Sequence, residues 1–167
     1  MARQLWLLRH ADAEPHGTRP DADRRLTERG REQARVAGAA LARLGVTFEA
    51  ALFSPKARAR ETAELAAAQW EEAQRSCLRS HDALAGGFDA RQALEQLRGI
   101  GADGRLLLVG HEPDLSRLAG ELTSGQIDLK KGGLAVVRLE GAASGELAVL
   151  MRPRELALVA RAPGDGE

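Results

Sequence analysis

Two arginines and two histidines of this 167-residue chain fall where an apolar run gives way to a loop or to a helix start. Arg9-His10 follows the run Gln4 to Leu8, Ser54-Pro55 follows Ala50 to Phe53 and leads within a turn to Arg58, and Gly110-His111 follows Leu106 to Val109. Arginine offers a fixed fork of donors, and a helix start adds backbone N–H groups, so together they suit an oxyanion such as phosphate. Taken singly, each has an ordinary explanation. A histidine at a strand end is usually structural, Arg58-Ala59-Arg60 also reads as a solvated helix face, and His111 before Glu112-Pro113 also reads as a turn residue. The co-occurrence of all four at three strand ends is what argues for a site.

That argument needs elements to hold the residues. The short apolar runs read as buried strands. Between the first two runs, a helical pattern begins after Thr27 as N-cap, with apolar positions at Ala34, Ala37, Leu41 and Leu44 and Gly45 as its stop. Ser54-Pro55 predicts an N-cap and a first-turn proline for a second helix reaching Ala68. Cys77 to Leu84 reads as a weaker strand, Ala90 to Leu97 and Asp114 to Leu122 as helices, and Leu134 to Leu139 with Leu147 to Met151 as two strands joined across Gly141 to Gly145. Strands alternating with helices predict an α/β fold, a sandwich with a largely parallel central sheet, whose ligands bind beyond the carboxyl ends of the strands. One domain over residues 1–161 is expected, with a flexible tail at 162–167.

Composition narrows the chemistry. The 24 basic and 24 acidic residues balance, so any anion site is local, and with no tyrosine and few aromatic residues the chain is not read as a nucleic-acid binder. No apolar run approaches the length of a membrane span, and the N-terminus runs straight into a strand without the pattern of a secretory signal, which gives a cytoplasmic expectation and no membrane partner. Cys77 is a lone thiol without an arginine six positions on. Neither a Gly-x-Ser-x-Gly elbow nor a Walker loop occurs, and the four histidines have no zinc-like spacing, so no metal or cofactor is expected.

Four segments in order, Leu8-Arg9-His10-Ala11, Leu26-Thr27-Glu28-Arg29-Gly30, Ser54-Pro55-Lys56-Ala57-Arg58-Ala59 with Thr62-Ala63, and Val109-Gly110-His111, resemble the signatures of the histidine phosphatase superfamily, which includes the phosphoglycerate mutases. The short chain, the Arg-His-Ala variant and Lys130-Lys131-Gly132-Gly133 look most like its SixA-type phosphohistidine phosphatases. The resemblance implies a three-layer α/β/α sandwich of phosphoglycerate mutase type. It implies further that His10 attacks phosphorus and is transiently phosphorylated, that Arg9, Arg58 and His111 stabilise the phosphoryl oxygens, and that no metal takes part. The substrate it implies is a phosphorylated protein, a histidine phosphotransfer domain among the candidates; a small phosphorylated metabolite, or phosphate binding without turnover, are the alternatives.

The general acid is not marked. Glu112, Asp12, Asp82 and Asp89 are the candidates, none with a distinctive pattern. An alkoxide leaves poorly without an acid, whereas the imidazole of a phosphohistidine can take its proton from solvent, so a missing acid favours an N–P substrate. The short stretch from Arg58 to His111 also leaves little room for a lid. Arg24, Arg25 and Lys130-Lys131 read either as support for the phosphate and its carrier or as solvated charge.

Overall fold

The period-two alternation of apolar side chains along the central strands sends them to both faces of one sheet, each face covered by helices. The computed structural model describes residues 2–163. Along them run β1 (Gln4–Arg9), α1 (Glu28–Arg43), β2 (Ala50–Phe53), α2 (Ala57–Ala67), α3 (Glu72–Arg75), β3 (Leu78–Ser80), α4 (Ala90–Arg98), β4 (Arg105–Gly110), α5 (Asp114–Thr123), β5 (Leu134–Glu140), β6 (Ser144–Met151) and α6 (Pro153–Arg161). The sheet order is β3-β2-β4-β1-β5-β6. The first four strands are parallel, and β5 and β6 add an antiparallel hairpin at one side.

Leu5 and Leu7 of β1, with Leu106 and Leu108 of β4, pack against Ala93 and Leu97 of α4 and Leu115, Leu118 and Leu122 of α5. Trp6 and Leu8, with Leu107 and Val109, face the alanine-rich sides of α1 and α2 and Leu156 of α6. These two cores make the three-layer sandwich expected from the sequence. They also fix the carboxyl ends of β1, β2 and β4 side by side, because Leu8 pairs with Val109 and Phe53 with Val109.

Several local expectations are refined. Thr27 caps α1, its hydroxyl oxygen accepting from Gly30 N–H at 3.0 Å. The helix after β2 begins only at Ala57, and Ser54 and Pro55 lie ahead of it; Lys56 occupies the cap position without a side-chain bond. Ser54 sits two residues ahead of the cap position, so its oxygen accepts from Lys56 N–H at 3.3 Å rather than from an N–H of the helix, and its hydroxyl lies 2.7 Å from His111 Nε2. The weak strand after Cys77 is just the edge strand β3, since Arg79 and Ser80 are exposed and a 3-10 turn at Asp82–Ala85 follows. Helix α6, unmarked in the sequence reading, is built by Pro153 in its first turn and by the Glu155 carboxylate, which accepts from Arg152 N–H at 2.7 Å. Of the tail expected at 162–167, residues 164–167 lie outside the described residues.

Candidate active site

His10 and His111 end β1 and β4, both about 7% exposed or less, with ring centroids 5.2 Å apart. Arg58, at the start of α2, is also buried. Arg9 Nη1 donates to Leu129 O at 3.0 Å, which turns that side chain along the same mouth of the sheet. The sequence-expected set of Arg9, His10, Arg58 and His111 therefore converges.

The tautomer of His10 follows from its neighbour. His10 Nδ1 lies 2.8 Å from Ala11 O, and a carbonyl oxygen only accepts, so Nδ1 carries the proton and Nε2 keeps its lone pair. Burial pushes the His10 pKa down to about 3, helped by the nearby His111, Arg58 and Arg9 and opposed by the bond to Ala11. The His111 pKa is likewise pushed to about 3 by burial, then by Arg58 and Lys56. Both imidazoles are neutral at pH 7.

Ser54, fully buried, orients His111. Its oxygen accepts from Lys56 N–H at 3.3 Å, and the acceptor beside its own proton is His111 Nε2 at 2.7 Å. With Ser54 donating to Nε2, His111 Nδ1 carries the ring proton and is a donor. It has no partner, and the buried side-chain polar atoms without a partner among the described residues are Arg9 Nε, Arg58 Nε and His111 Nδ1. Buried donors are normally satisfied. The three orphans belong to the residues whose charges act on His10, and such donors suit an anion with several acceptor oxygens.

Neighbouring residues hold the set in place. Thr62, fully buried, accepts from Ala11 N–H at 3.1 Å and donates to Arg58 O at 2.7 Å, linking the β1 loop to α2. Arg58 Nη1 and Nη2 donate to Asp21 O at 2.7 Å and Asp21 Oδ2 at 3.3 Å. Asp21 also receives Lys56 Nζ and Arg24 Nη2, each at 2.9 Å. Those bonds, that of Lys56 foremost, hold the Asp21 carboxyl below the usual carboxylate range. Gly30 lets α1 start directly on the loop after His10, since a Cβ there would fall 1.9 Å from Asp12 O. Gly132, at φ +72°, turns its N–H to Arg9 O and His10 O at 3.2 and 3.0 Å.

The candidate acids are dispersed. Asp12 Oδ2 accepts from the Thr27 hydroxyl at 2.8 Å, and its other oxygen faces Lys131 Nζ at 3.6 Å. Asp89 caps α4, accepting from Gln92 N–H at 2.9 Å, and Asp82 is exposed in the 3-10 turn. Glu112 lies near Arg9: burial works against the charge on Arg9, and Glu112 and Asp128 offset part of that. One Glu112 oxygen accepts from Ser116 N–H at 3.0 Å. Arg24 is buried as the support of Asp21, whereas Arg25 is exposed. Cys77 is a half-buried free thiol whose pKa burial pushes up.

Sequence reasoning missed Asp21, which no pattern marks, and assigned Ser54 to a cap. A buried serine directly after a central strand was the available signal. Thr62 entered only as a letter of a motif.

Residues 5–84 match the family model described as the histidine phosphatase superfamily (branch 1). The chain is 32% identical to an uncharacterized protein of Picosynechococcus sp., over 92% of this chain and 98% of that one. Among solved structures, it is similar to the protein histidine phosphatase SixA in complex with tungstate, at a TM-score of 0.79 and 25% identity over 92% of this chain and 99% of that one. It is also similar to a protein from Nakamurella multipartitia given the name SixA, at a TM-score of 0.75 and 27% identity, with 92% and 97% of the two chains covered.

Proposed function

The chain belongs to the histidine phosphatase superfamily and is a phosphatase, and on that premise we propose that it removes the phosphoryl group from phosphohistidine on a partner protein through His10. In this reading the His10 Nε2 lone pair attacks phosphorus in line as the P–N bond to the substrate imidazole breaks, and that imidazole takes a proton from solvent. Water then cleaves the phosphoryl group from His10, releasing inorganic phosphate and regenerating the free imidazole. Arg9 Nε, Arg58 Nε and His111 Nδ1 would donate to the three non-bridging oxygens, where the charge is spread in phosphoryl transfer.

The observation that carries the reading is the coincidence of a neutral nucleophile with three unpartnered buried donors. The choice of an N–P substrate is supported by the carboxylates. Asp12 and Asp89 are spent on helix starts and Asp82 is exposed, so they offer no acid beside His10 for an alkoxide leaving group. The names of the SixA neighbours lie in the same direction. Glu112 supports a second reading, hydrolysis of a small phosphate ester, because it is a candidate carboxylate whose charge acts on Arg9. A cytoplasmic location and a mechanism without metal belong to the proposal.

Hydrolysis of phosphohistidine beside p-nitrophenyl phosphate, in the presence of a chelator, tests it. Wild type should prefer phosphohistidine in kcat/KM, and His10→Ala should lose at least about a thousandfold. A preference for the ester moves the assignment to the second reading. Activity retained in His10→Ala overturns the mechanism.

A further inference from the structure

Arg9 has two sides. Its Nε is buried without a partner, and the side chain also borders a trough of about 410 Å³. The trough is lined also by Arg29 from the start of α1, Lys130 and Lys131 from the loop before β5, and Arg152 and Arg154 from the start of α6. A second cavity of about 440 Å³ shares Lys130 and Arg152 with it and continues to Leu150, which is 46% exposed. In a chain with no net charge, this is a strong local excess of cations.

Internal carboxylates neutralise it only in part. Arg152 and Arg154 share the single carboxylate of Glu155, at 2.9 and 2.8 Å. Lys130 pairs with Asp128 at 2.6 Å, and Lys131 lies 3.6 Å from Asp12, whose other oxygen is taken by Thr27. Arg29 has no hydrogen-bond or ion-pair partner among the described residues. Six cations thus face three carboxylates.

The chemistry of an occupant follows from how these cations are held. The lysines and the α6 arginines are about half-exposed or more, so each contact with an anion contributes little alone and is screened by salt. Attraction has to be summed over several anionic groups spread along the trough, which a polypeptide with several carboxylates provides and a small dianion does not. No aromatic ring lines the trough to stack a base, and both tryptophans are buried in the core. Leu150 offers an apolar landing at the far end.

We propose that the trough beside Arg9, formed by Arg29, Lys130, Lys131, Arg152 and Arg154, docks an acidic segment of the phosphorylated partner protein and delivers its phosphohistidine to His10. The partner is defined by carboxylates near the modified residue, and this rests on the phosphohistidine reading above. The trough acts through encounter and KM, and none of its five residues is among the groups whose charges act on His10 or His111.

Two phosphohistidine peptides test this, alike except that four flanking glutamates of one are glutamines in the other. The wild type should favour the acidic peptide by about tenfold or more through KM at low ionic strength, and by much less near 0.15 M, where the Debye length falls to about 8 Å. Arg29→Gln/Lys130→Gln/Arg154→Gln should abolish the preference, and the charge-keeping Arg29→Lys/Lys130→Arg/Arg154→Lys should retain it. Equal kcat/KM for the two peptides, or a preference surviving in the glutamine variant, overturns the proposal. Fluorescence anisotropy of the labelled, unphosphorylated acidic peptide separates docking from chemistry. If neither phosphopeptide is cleaved, the phosphohistidine reading fails, while docking still stands or falls on whether the glutamine variant loses that binding. Displacement of the peptide by millimolar glutamate would identify a small-anion site and overturn the proposal as well.

Discussion

On one side of Arg9 the cationic and imidazole groups are buried and short of partners; on the other the cations are exposed and, Arg29 apart, already paired. Arg58, 5% exposed, keeps an Nε without a partner although its other nitrogens are tied to Asp21. Arg154, 72% exposed, bonds to Glu155 in open solvent. The difference teaches that charge alone does not mark a catalytic site. Burial makes an unfilled donor costly and so makes the right ligand valuable, whereas exposure makes each cation cheap to hold and weak to use. One region is built to bind a few oxygens in fixed positions, the other to attract a diffuse anionic surface.

The largest test of this contrast is Arg58→Ala. Loss of a buried donor that meets the developing charge should lower kcat/KM on phosphohistidine by about 10²- to 10³-fold, and Arg58→Lys should restore only part, because an ammonium cannot bind Asp21 and present an Nε–H together. Steady-state kinetics on free phosphohistidine, which leaves the trough empty, read the effect. A loss below about fivefold would break the contrast.

Ser54→Ala comes next. The variant leaves His111 Nε2 without its partner in a buried position, which should cost about 1–3 kcal/mol of stability in urea unfolding. It also frees the His111 ring to swap tautomers and withdraw the Nδ1 donor, so kcat should fall about tenfold with a smaller change in KM. A stability loss without a fall in kcat would make Ser54 a core residue and nothing more.

Acid provides a test of burial itself. Unfolded histidine titrates near 6.5, whereas His10 and His111 take up a proton only near 3. Between those values the unfolded chain binds more protons, so stability should be level above about 6.5 and should decline as pH falls toward 3. Asp21, with its carboxyl held low, adds a second loss once pH drops below the ordinary carboxylate range. Tm measured from pH 7.5 to 3 should follow this course. A Tm that is flat from pH 6.5 to 5 would mean that the histidines are not buried neutral.

How much of this was legible in the sequence differs between the two regions for a physical reason. Arg9, His10, Arg58 and His111 each adjoin an apolar run or a helix start, so local pattern and strand-end logic bring them together, and β1, α1, β2, β4 and α5 follow from the same periodicities. Asp21 lies in an exposed 3-10 turn and reaches Arg58 across tertiary structure, and no spacing encodes that. Ser54 has the signature of a cap, but it sits two residues ahead of the cap position, with its hydroxyl beside His111 from another strand. The trough was visible merely as Lys130-Lys131; Arg29 and the arginines of α6 join it because the two helices pack side by side, and α6 itself went unread because its polar, capped start follows a strand without a gap.

The smallest effects come from two carboxylates whose substitutions should act with opposite sign. Asp21→Asn removes the negative charge that Arg58, Lys56 and Arg24 share but keeps the backbone oxygen that receives Arg58 Nη1. Asp21 is a positioning residue, so its loss should lower kcat by about three- to tenfold on free phosphohistidine, with Asp21→Glu recovering part. A purely structural role would lower Tm and leave kcat of the folded fraction unchanged. Asp128→Asn instead releases Lys130 from an exposed pair. It should leave Tm within about 2 °C and raise affinity for the acidic peptide about twofold at low salt, a gain that vanishes near 0.15 M. The buried cations need their carboxylate to hold geometry, and the exposed ones are held back by theirs. If Asp128→Asn weakened peptide binding, the trough would depend on fixed geometry after all, and the distinction between the two sides of Arg9 would collapse.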